Sequence, residues 1–400
     1  MAAIVAGSAM GTRVAVVGTG VVGLATALGC AQRGLSVSLV GPVPRVFVAA
    51  ASPATEPDFD VRIYAISQGA RALLAGQRAW AQVDPARTCA VARMRIYGDD
   101  GGQIHFDALA AGAERLATIC EESQLVRALW LGCTMAPGIE HHAQDFASAQ
   151  FDAGGVRVHL ADGSRIDCAL VLGADGKHSA VRAAAGITAR HSSYGQTAFV
   201  ANFSCARPHE GTAYQWFTPE GIVALLPLPG NAVSLVWSAP DAIVPQLQAL
   251  APADFARRVA ARTGAPLGAL HMAGKAHAFA LNRFVVDRLA GPGVALLGDA
   301  AHVVHPLAGQ GLNLGLQDVS EFMRLLEARE PWRALGDRVW LRRYERARAE
   351  PIGLMRATVD GLARLFQTQD ARVRRLRNVG MTAVDALPPL KHALVRHALG

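Results

Sequence analysis

Between Arg13 and Leu35 the chain reads RVAVVGTGVVGLATALGCAQRGL, and few folds accommodate that order of residues. The β-branched and small residues Val14 to Val17 read as a buried strand, and Val21 onward has helical apolar spacing. Leu35-SVSLV-Val40 reads as the next strand, which makes a βαβ unit. Gly18, Gly20 and Gly23 form G-x-G-x-x-G in the context the pattern requires, after a strand and at the opening of a helix. Gly18 allows the tight turn, Gly20 lets a pyrophosphate approach the backbone, and Gly23 lets the helix pack on the sheet. Unpaired N–H groups at the helix N-terminus then face the phosphates, which predicts dinucleotide binding. One part is missing. The acid that should hold the adenosine ribose falls at Gly41, so another group must hold it. An acid introduced at Gly41 is expected to tighten the cofactor, provided the backbone there has no need of positive φ.

The same stretch carries no charge from Val14 to Ala31 and resembles a membrane span in hydropathy alone. Its glycines, the close arginines Arg13 and Arg33 and the lack of a cleavage pattern predict a soluble protein instead. A chain 51% hydrophobic and 18% charged has ample material for a core. Its six cysteines include no CxxC pair and no metal-ligand spacing, which fits buried thiols in a reducing compartment. The net charge of +7 falls entirely on residues 341–400, because the preceding residues cancel. A nucleic acid, an anionic membrane surface or a solvated helical face would each account for such an end. The expectation is no nucleic acid, and a cytoplasmic protein with peripheral contact to the inner face of the membrane or to a biosynthetic complex.

Further along, residues 41–60 read as a loop and Asp60 to Leu74 as a helix with Asp60 near its start. Arg95 to Phe106 reads as a hairpin turning at Asp99-Asp100-Gly101-Gly102, Ser123 to Trp130 as a helix, and Val156 to Leu160 as a strand. Cys168-ALVLGADGKHSAVRAAAGI-Ile187 repeats the opening grammar: strand, small-residue turn at Asp175-Gly176, helix carrying Arg182. Thr197 to Ala239 alternates like sheet, with a hairpin at Pro229-Gly230-Asn231. Its aromatic residues Phe199, Phe203, Tyr214, Trp216, Phe217 and Trp237 are either sheet core or partly pocket lining. Finally, LLGDAAHVVHPLAGQGLNLGLQDV from Leu296 places a glycine-rich passage between a buried strand and a helix, where the backbone must pass close to something.

GTGVVG at Gly18, GADGKHSAVR at Gly173 and LLGDAAHVVHPLAGQGLN at Leu296, in this order, resemble the FAD-dependent aromatic hydroxylases of the p-hydroxybenzoate hydroxylase type. Asp60-x-Arg62, HPLAGQGLNLGLQD and the end LRNVGMTAVDALPPLKHALVRHALG narrow the resemblance to the ubiquinone-biosynthesis hydroxylases, over nearly the whole chain. The resemblance implies an α/β fold: a Rossmann-like FAD-binding domain with an inserted mixed and antiparallel sheet substrate domain and C-terminal helices. The expected division is 1–187 for the first part of the FAD domain with some substrate-domain strands, 188–285 for the substrate sheet, 286–330 for the second part, and 331–400 for a basic helical segment. The implied cofactor-binding residues are Gly18, Gly20, Val22, Gly23, Arg62, Asp175, Asp299, Pro306, Gly309, Gly311, Leu312 and Asn313. In that family Asp299 would accept hydrogen bonds from the FAD ribityl chain, and the Gly309–Asn313 turn would lay backbone N–H groups along the flavin ring edge. A helix N-terminus there suits the anionic reduced flavin. Arg62 would reach the diphosphate, and Asp175 would lie between FAD and the path of a transient nicotinamide. Glu122 is given no role beside a phosphate.

The implied chemistry is oxygen transfer from O2 to an electron-rich carbon of a phenol, expected to be polyprenylated, with NAD(P)H as a transient reductant. No second dinucleotide fold is present for the nicotinamide, and no acid/base pair identifies itself as catalytic. His302-x-x-His305 has no third partner for a metal, and His305 is expected to shape the turn facing the flavin. Two rivals remain. A flavin-dependent halogenase needs a lysine between flavin and substrate, and only Lys177, Lys275 and Lys391 are available, none in a Trp-rich motif. A non-catalytic FAD-binding scaffold of a quinone-synthesis assembly would keep the flavin without substrate oxidation.

Overall fold

Strand Arg13–Val17 lies inside a six-stranded sheet, with four of its five residues buried. The computed structural model describes residues 12–45, 59–305, 310–368, 370–387, 389 and 391. The sheet runs Ala290–Gly291, Val294–Leu296, Leu170–Gly173, Arg13–Val17, Ser36–Val40 and Ile139–His142. All pairings are parallel except the first. Strands covered on both faces need continuous apolar runs, which VAVV, LVL and VAL provide. Helix Val21–Ala31 packs against helices Glu122–Met135 and Gln310–Glu327, and one core joins Leu24, Leu39, Leu172, Leu296, Phe322 and Trp340.

A second, eight-stranded sheet runs His302–Val303, Leu270–Val286, Ala189–Cys205, Ala232–Pro240, Gly221–Leu228, Thr212–Thr218, Arg93–Tyr97 and Gln103–Asp107. Alternation gives it two distinct faces. One packs Phe199, Phe203, Tyr214, Trp216 and Trp237 on Phe255 and Val259 of helix Pro252–Thr263. Those aromatic residues are therefore sheet core. The other face is covered only at its ends. Leu226, Leu228 and Ala232 meet Phe59, Ile63 and Ile119 at one end, while Phe217 and Ile222 meet Val359 at the other. Between the two lies a strip of small and aliphatic residues (Ala198, Val200, Ala224 and Val236) that lines a cleft. The strip spans three adjacent strands in register.

The hairpin at Asp99–Gly102 and the strands and helix around Leu170–Ala184 form as their sequence patterns indicate. Asp60 to Leu74 does not. Ile63–Ile66 is a strand paired with Ala117–Glu121, and the helix begins only at Gln68, capped by Ser67 accepting from Ala70 N. Apolar residues at 63, 66, 70 and 74 satisfy a helical spacing, but tertiary pairing took the first two into a sheet. Asp60 starts no helix. Its carboxylate accepts from Ser123 N at 2.7 Å, and its own N–H donates to buried Glu121 at 2.8 Å.

Helices Arg338–Gln367 and Ala371–Asp385 close the described chain. The second is not simply a basic surface. Arg377 is buried, pairs with Asp99 and donates to Thr368 O at 3.0 Å, while Asn378 accepts from Gly102 N and donates to Asp99. Burial alone would raise the Asp99 carboxyl; the bonds from Arg377 and Asn378 outweigh it and hold it lowered. The pair clamps the last helix to the 93–107 hairpin. Arg377→Ala leaves Asp99 buried without its cation, and should cost about 3 kcal/mol in urea unfolding while raising amide exchange across 371–385. Exchange and stability equal to the parent's would refute the clamp.

Candidate active site

Three glycine-bearing turns meet at the C-terminal ends of the parallel strands, and steric contact interlocks them. Gly18 has φ of 116°, and a Cβ there would lie 2.2 Å from Ala174 O, so only glycine lets the first turn approach the second. A Cβ on Gly23 would lie 2.0 Å from Gly18 O, so the helix packs directly on the turn that precedes it. Val22 sits against Gly298 and Gly315, joining the first turn to the third. Arg182 joins the second to the third, donating to Ala300 O at 2.9 Å and to Lys177 O at 2.8 Å while lying over the Phe284 ring. Gly20 differs from its neighbours. It has φ of −80°, and a Cβ there would meet nothing within 4 Å. Its open side belongs to the cleft, a fixed backbone cradle at the start of helix Val21–Ala31.

The cleft has a volume of about 980 Å³. One side is made by Gly18, Gly20, Val22, Asp299, Gly311 and Leu312, and the other by the uncovered strip of the large sheet. Asp299 projects from the short 3-10 turn Gly298–Ala300, open to the cleft but enclosed by protein on most sides. Burial raises its carboxyl, opposed by His302, Arg62 and Lys177, and it accepts no hydrogen bond among the described residues. An acceptor held in that way suits a hydroxyl-bearing ligand. Arg62 lines the cleft 3.3 Å from Glu122, whose charge raises the guanidinium. Glu122, given no role by the sequence, is thus the resident partner of Arg62. Asp175 caps helix Ala180–Ala184, accepting from Ala180 N and Val181 N, and its second oxygen has no partner among the described residues.

Gly41 corrects an expectation. Its φ is 145° and a Cβ would press on Thr19 at 3.1 Å, so a carboxylate side chain cannot be introduced there without strain. Asn313 also departs from the simplest picture. Its Oδ1 accepts from Ser67 N at 2.9 Å and its Nδ2 donates to Ala65 O at 2.8 Å. Both ends of the side chain are engaged in tying helix Gln310–Glu327 to the 63–67 segment. Gly311 and Leu312, in the first turn of that helix, do line the cleft. Pro306 and Gly309 lie outside the described residues.

Sequence reasoning missed the group that holds the Asp299 turn. Asp318 is fully buried; its Oδ2 accepts from Gly298 N at 2.9 Å and lies 2.6 Å from His302 Nε2, and its Oδ1 accepts from Arg348 Nε at 2.7 Å. Burial would raise this carboxyl, but His302, Arg348 and the Gly298 N–H together hold it lowered. A charged residue among Leu314, Leu316, Val319 and Phe322 was the available signal. His302 and His305 face different partners: His305 Nε2 lies 2.8 Å from Gln196 Oε1. Among the described residues no group of three or more His, Cys, Asp or Glu could hold a metal ion, and no helix is long and apolar enough to cross a membrane.

Residues 67–353 match the family model of the FAD binding domain. A ubiquinone hydroxylase of Rhodospirillum rubrum is 35% identical over 393 residues, covering 97% of this chain and 89% of that protein. The 3-demethoxyubiquinol 3-hydroxylase of Escherichia coli is 34% identical over 392 residues, covering 97% of this chain and 98% of that one. Among solved structures, p-nitrophenol 4-monooxygenase from Pseudomonas putida superposes with a TM-score of 0.76 at 16% identity, over 97% of this chain and 98% of that chain. A Klebsiella pneumoniae protein complexed with FAD and uric acid superposes at 0.72 and 16% identity, over 96% of each chain. These two likenesses show the fold.

His305 is fully buried, packs edge-on against the Tyr194 ring, and donates its backbone N–H to the Tyr194 hydroxyl at 3.2 Å. Burial pushes its imidazole down to about 4, and the Asp360 carboxylate opposes that only in part. An unfolded histidine titrates near 6.5, so below that pH the unfolded chain takes up a proton that the folded chain refuses. Stability from this group is complete above about pH 6.5 and is lost as pH falls toward 4. Between pH 7 and 4.5 the parent should lose about 2 kcal/mol more than His305→Gln, measured by urea unfolding at each pH. Parallel pH profiles for the two proteins would show that His305 titrates normally when folded.

Proposed function

The chain belongs to the FAD-dependent monooxygenase family, among the ubiquinone-biosynthesis hydroxylases, and we propose that it hydroxylates the phenolic ring of a polyprenylated ubiquinone precursor. The observation that carries the reading is one cleft in which the interlocked turns face an apolar strip wide enough for a flat ring. When bound, FAD would pass two electrons from NAD(P)H to O2, so that one oxygen atom of O2 goes to the ring and the other leaves as water. The chain's own residues bind, orient and exclude water. Gly20 and the N–H groups opening helix Val21–Ala31 receive the diphosphate, in the turn that Gly18, Val22 and Gly23 shape. Arg62 turns from Glu122 toward the same phosphates, and Asp299 accepts from ribityl hydroxyls. Gly311, Leu312 and the backbone of Asn313 present N–H groups to the ring edge, with Pro306 and Gly309 assigned to the same passage. Asp175 holds the turn along which the reductant passes. Ala198, Val200, Ala224 and Val236 offer the substrate ring no water-holding group.

Lys177, the lysine a halogenase would need, does line the cleft, but from the Asp175 turn near Asp299. The relatives named above are hydroxylases, and the reading stays with hydroxylation. Gly20→Val should fold with the parent's stability, since its backbone φ is ordinary, yet purify with at least tenfold less FAD and oxidise NAD(P)H correspondingly slowly. Gly23→Val should instead fail to fold. A yellow, fully active Gly20→Val would refute the phosphate site. A flavin-loaded parent that forms no hydroxylated product from short prenylated phenols would refute the activity.

A lipid-tailed substrate gives the basic end a use. Arg372, Arg375, Leu376 and Val379 are exposed and share one face of helix Ala371–Asp385, while Arg377 is buried and Arg374 stands 3.7 Å from Asp100. Among the described residues of this helix, Arg372 and Arg375 are thus the two arginines left without a partner, beside apolar side chains. Anionic lipid attracts each by about 1 kcal/mol. Arg372→Gln with Arg375→Gln should lower sedimentation with phosphatidylglycerol vesicles by roughly tenfold at low salt and leave FAD content unchanged. Equal sedimentation would remove the surface role.

A further inference from the structure

Among the described residues of the large sheet that line the cleft, Ser234 alone carries a polar side chain. Val200, Val236 and Ala224 stand directly opposite one another on three neighbouring strands, and one row further on Asn202, Ser234 and Leu226 do the same. Ser234 lines the cleft, is fully buried, and its hydroxyl has no hydrogen-bond partner among the described residues. Asn202, beside it on the same face, is also buried. Its Nδ2 donates to Phe59 O at 3.1 Å and to Asp60 O at 3.0 Å, which fixes the amide and leaves Oδ1 without a partner. A buried polar group left unpaired is costly, so two adjacent ones at the edge of an apolar ligand wall indicate groups completed by what binds there.

The geometry points to Ser234 and Asn202 as the pair that holds a ring hydroxyl of the aromatic substrate. This rests on the hydroxylase reading and deepens it by fixing one feature of the substrate. A serine hydroxyl donates and the free Asn202 oxygen only accepts. A phenolic hydroxyl does both, accepting from Ser234 Oγ while donating to Asn202 Oδ1. Directly opposed residues in an antiparallel pair have Cβ atoms about 4.5–5.5 Å apart, close enough for one oxygen to reach both. A methyl ether accepts but cannot donate, so it leaves Asn202 Oδ1 unpaired and adds a methyl group at the crowded end of the strip. The pair therefore selects for a free phenol at that ring position, and the apolar strip receives the remainder of the ring. Sites built to hydrogen-bond a hydroxyl discriminate strongly against analogues that cannot complete the bond.

The test uses the FAD-loaded full chain, with 2-allylphenol and its methyl ether as probes and binding read from the change in flavin absorption. The parent should bind the phenol at least tenfold tighter than the ether. Ser234→Ala should lose about tenfold in affinity for the phenol and little for the ether. Ser234→Cys, which keeps the shape with a much weaker donor, should behave like Ser234→Ala. In both variants FAD content should match the parent's, since Ser234 stands in the sheet wall and not in the turns. Undiminished discrimination between phenol and ether in flavin-loaded Ser234→Ala overturns the assignment while leaving the hydroxylase reading intact. A flavin-loaded parent that shows neither a spectral change nor NAD(P)H consumption with the phenol overturns the hydroxylase reading, and the assignment with it.

Discussion

The approach of Gly18 to the Ala174 carbonyl is the contact on which the rest of the site depends. Within it, Gly18 N donates to Val40 O and Ala174 N donates to Val17 O, both at 2.8 Å, so the ends of three parallel strands are stitched together below the turns. Leu297 N donates to Gly173 O at 2.9 Å and brings in the fourth. A side chain at Gly18 would separate the first pair by more than any local rotamer could absorb. The floor of the cleft is thus backbone packed on backbone, which is as rigid a support as a protein can build, and the ligand-facing groups inherit that rigidity.

Charge is used in two ways around this floor. Asp318 is entirely consumed inside the protein, and with Arg348 and His302 it fixes the turn that carries Asp299. Removing Asp318 would leave Arg348 buried without its anion and Gly298 N without its acceptor, so the network favours one geometry of that turn over alternatives. Asp299 and Arg62 are the opposite case. Among the described residues the first has no donor and the second only a partner it can exchange, so both keep capacity for a ligand. Two acids nineteen residues apart in one motif differ in role because one faces the core and the other the cleft.

Much of this was legible because each motif carried its own context. G-x-G-x-x-G followed a strand and opened a helix, and the structure separates its glycines into two that are sterically obligatory and one that is open to the cleft. What stayed hidden depended on distance or on backbone angle. Nothing in the neighbourhood of Asp318 pointed to Arg348, thirty residues on, because side-chain pairing across elements leaves no periodic trace. Gly41 read as a missing acid, whereas φ of 145° makes glycine itself the requirement. Ile63 to Ile66 fitted a helical spacing and became a strand, although Ser67 carried a cap signal that would have placed the helix start correctly. The basic end read as a segment whose charge faces outward, whereas Arg377 is buried against Asp99.

The order of strands in the first sheet has a consequence in time. Arg13–Val17 is made first, yet its neighbour Leu170–Gly173 emerges long afterwards, and the strand beyond that, Val294–Leu296, later still. Arg348, which completes the Asp318 network, follows at the far end of the chain. During synthesis Arg13–Val17 can meet Ser36–Val40 early, but its other edge waits until Leu170–Gly173 has been made. The cofactor cradle cannot exist as a half-built object. Its assembly is a late and cooperative event, and until then the open edge of that strand must be kept from finding another partner.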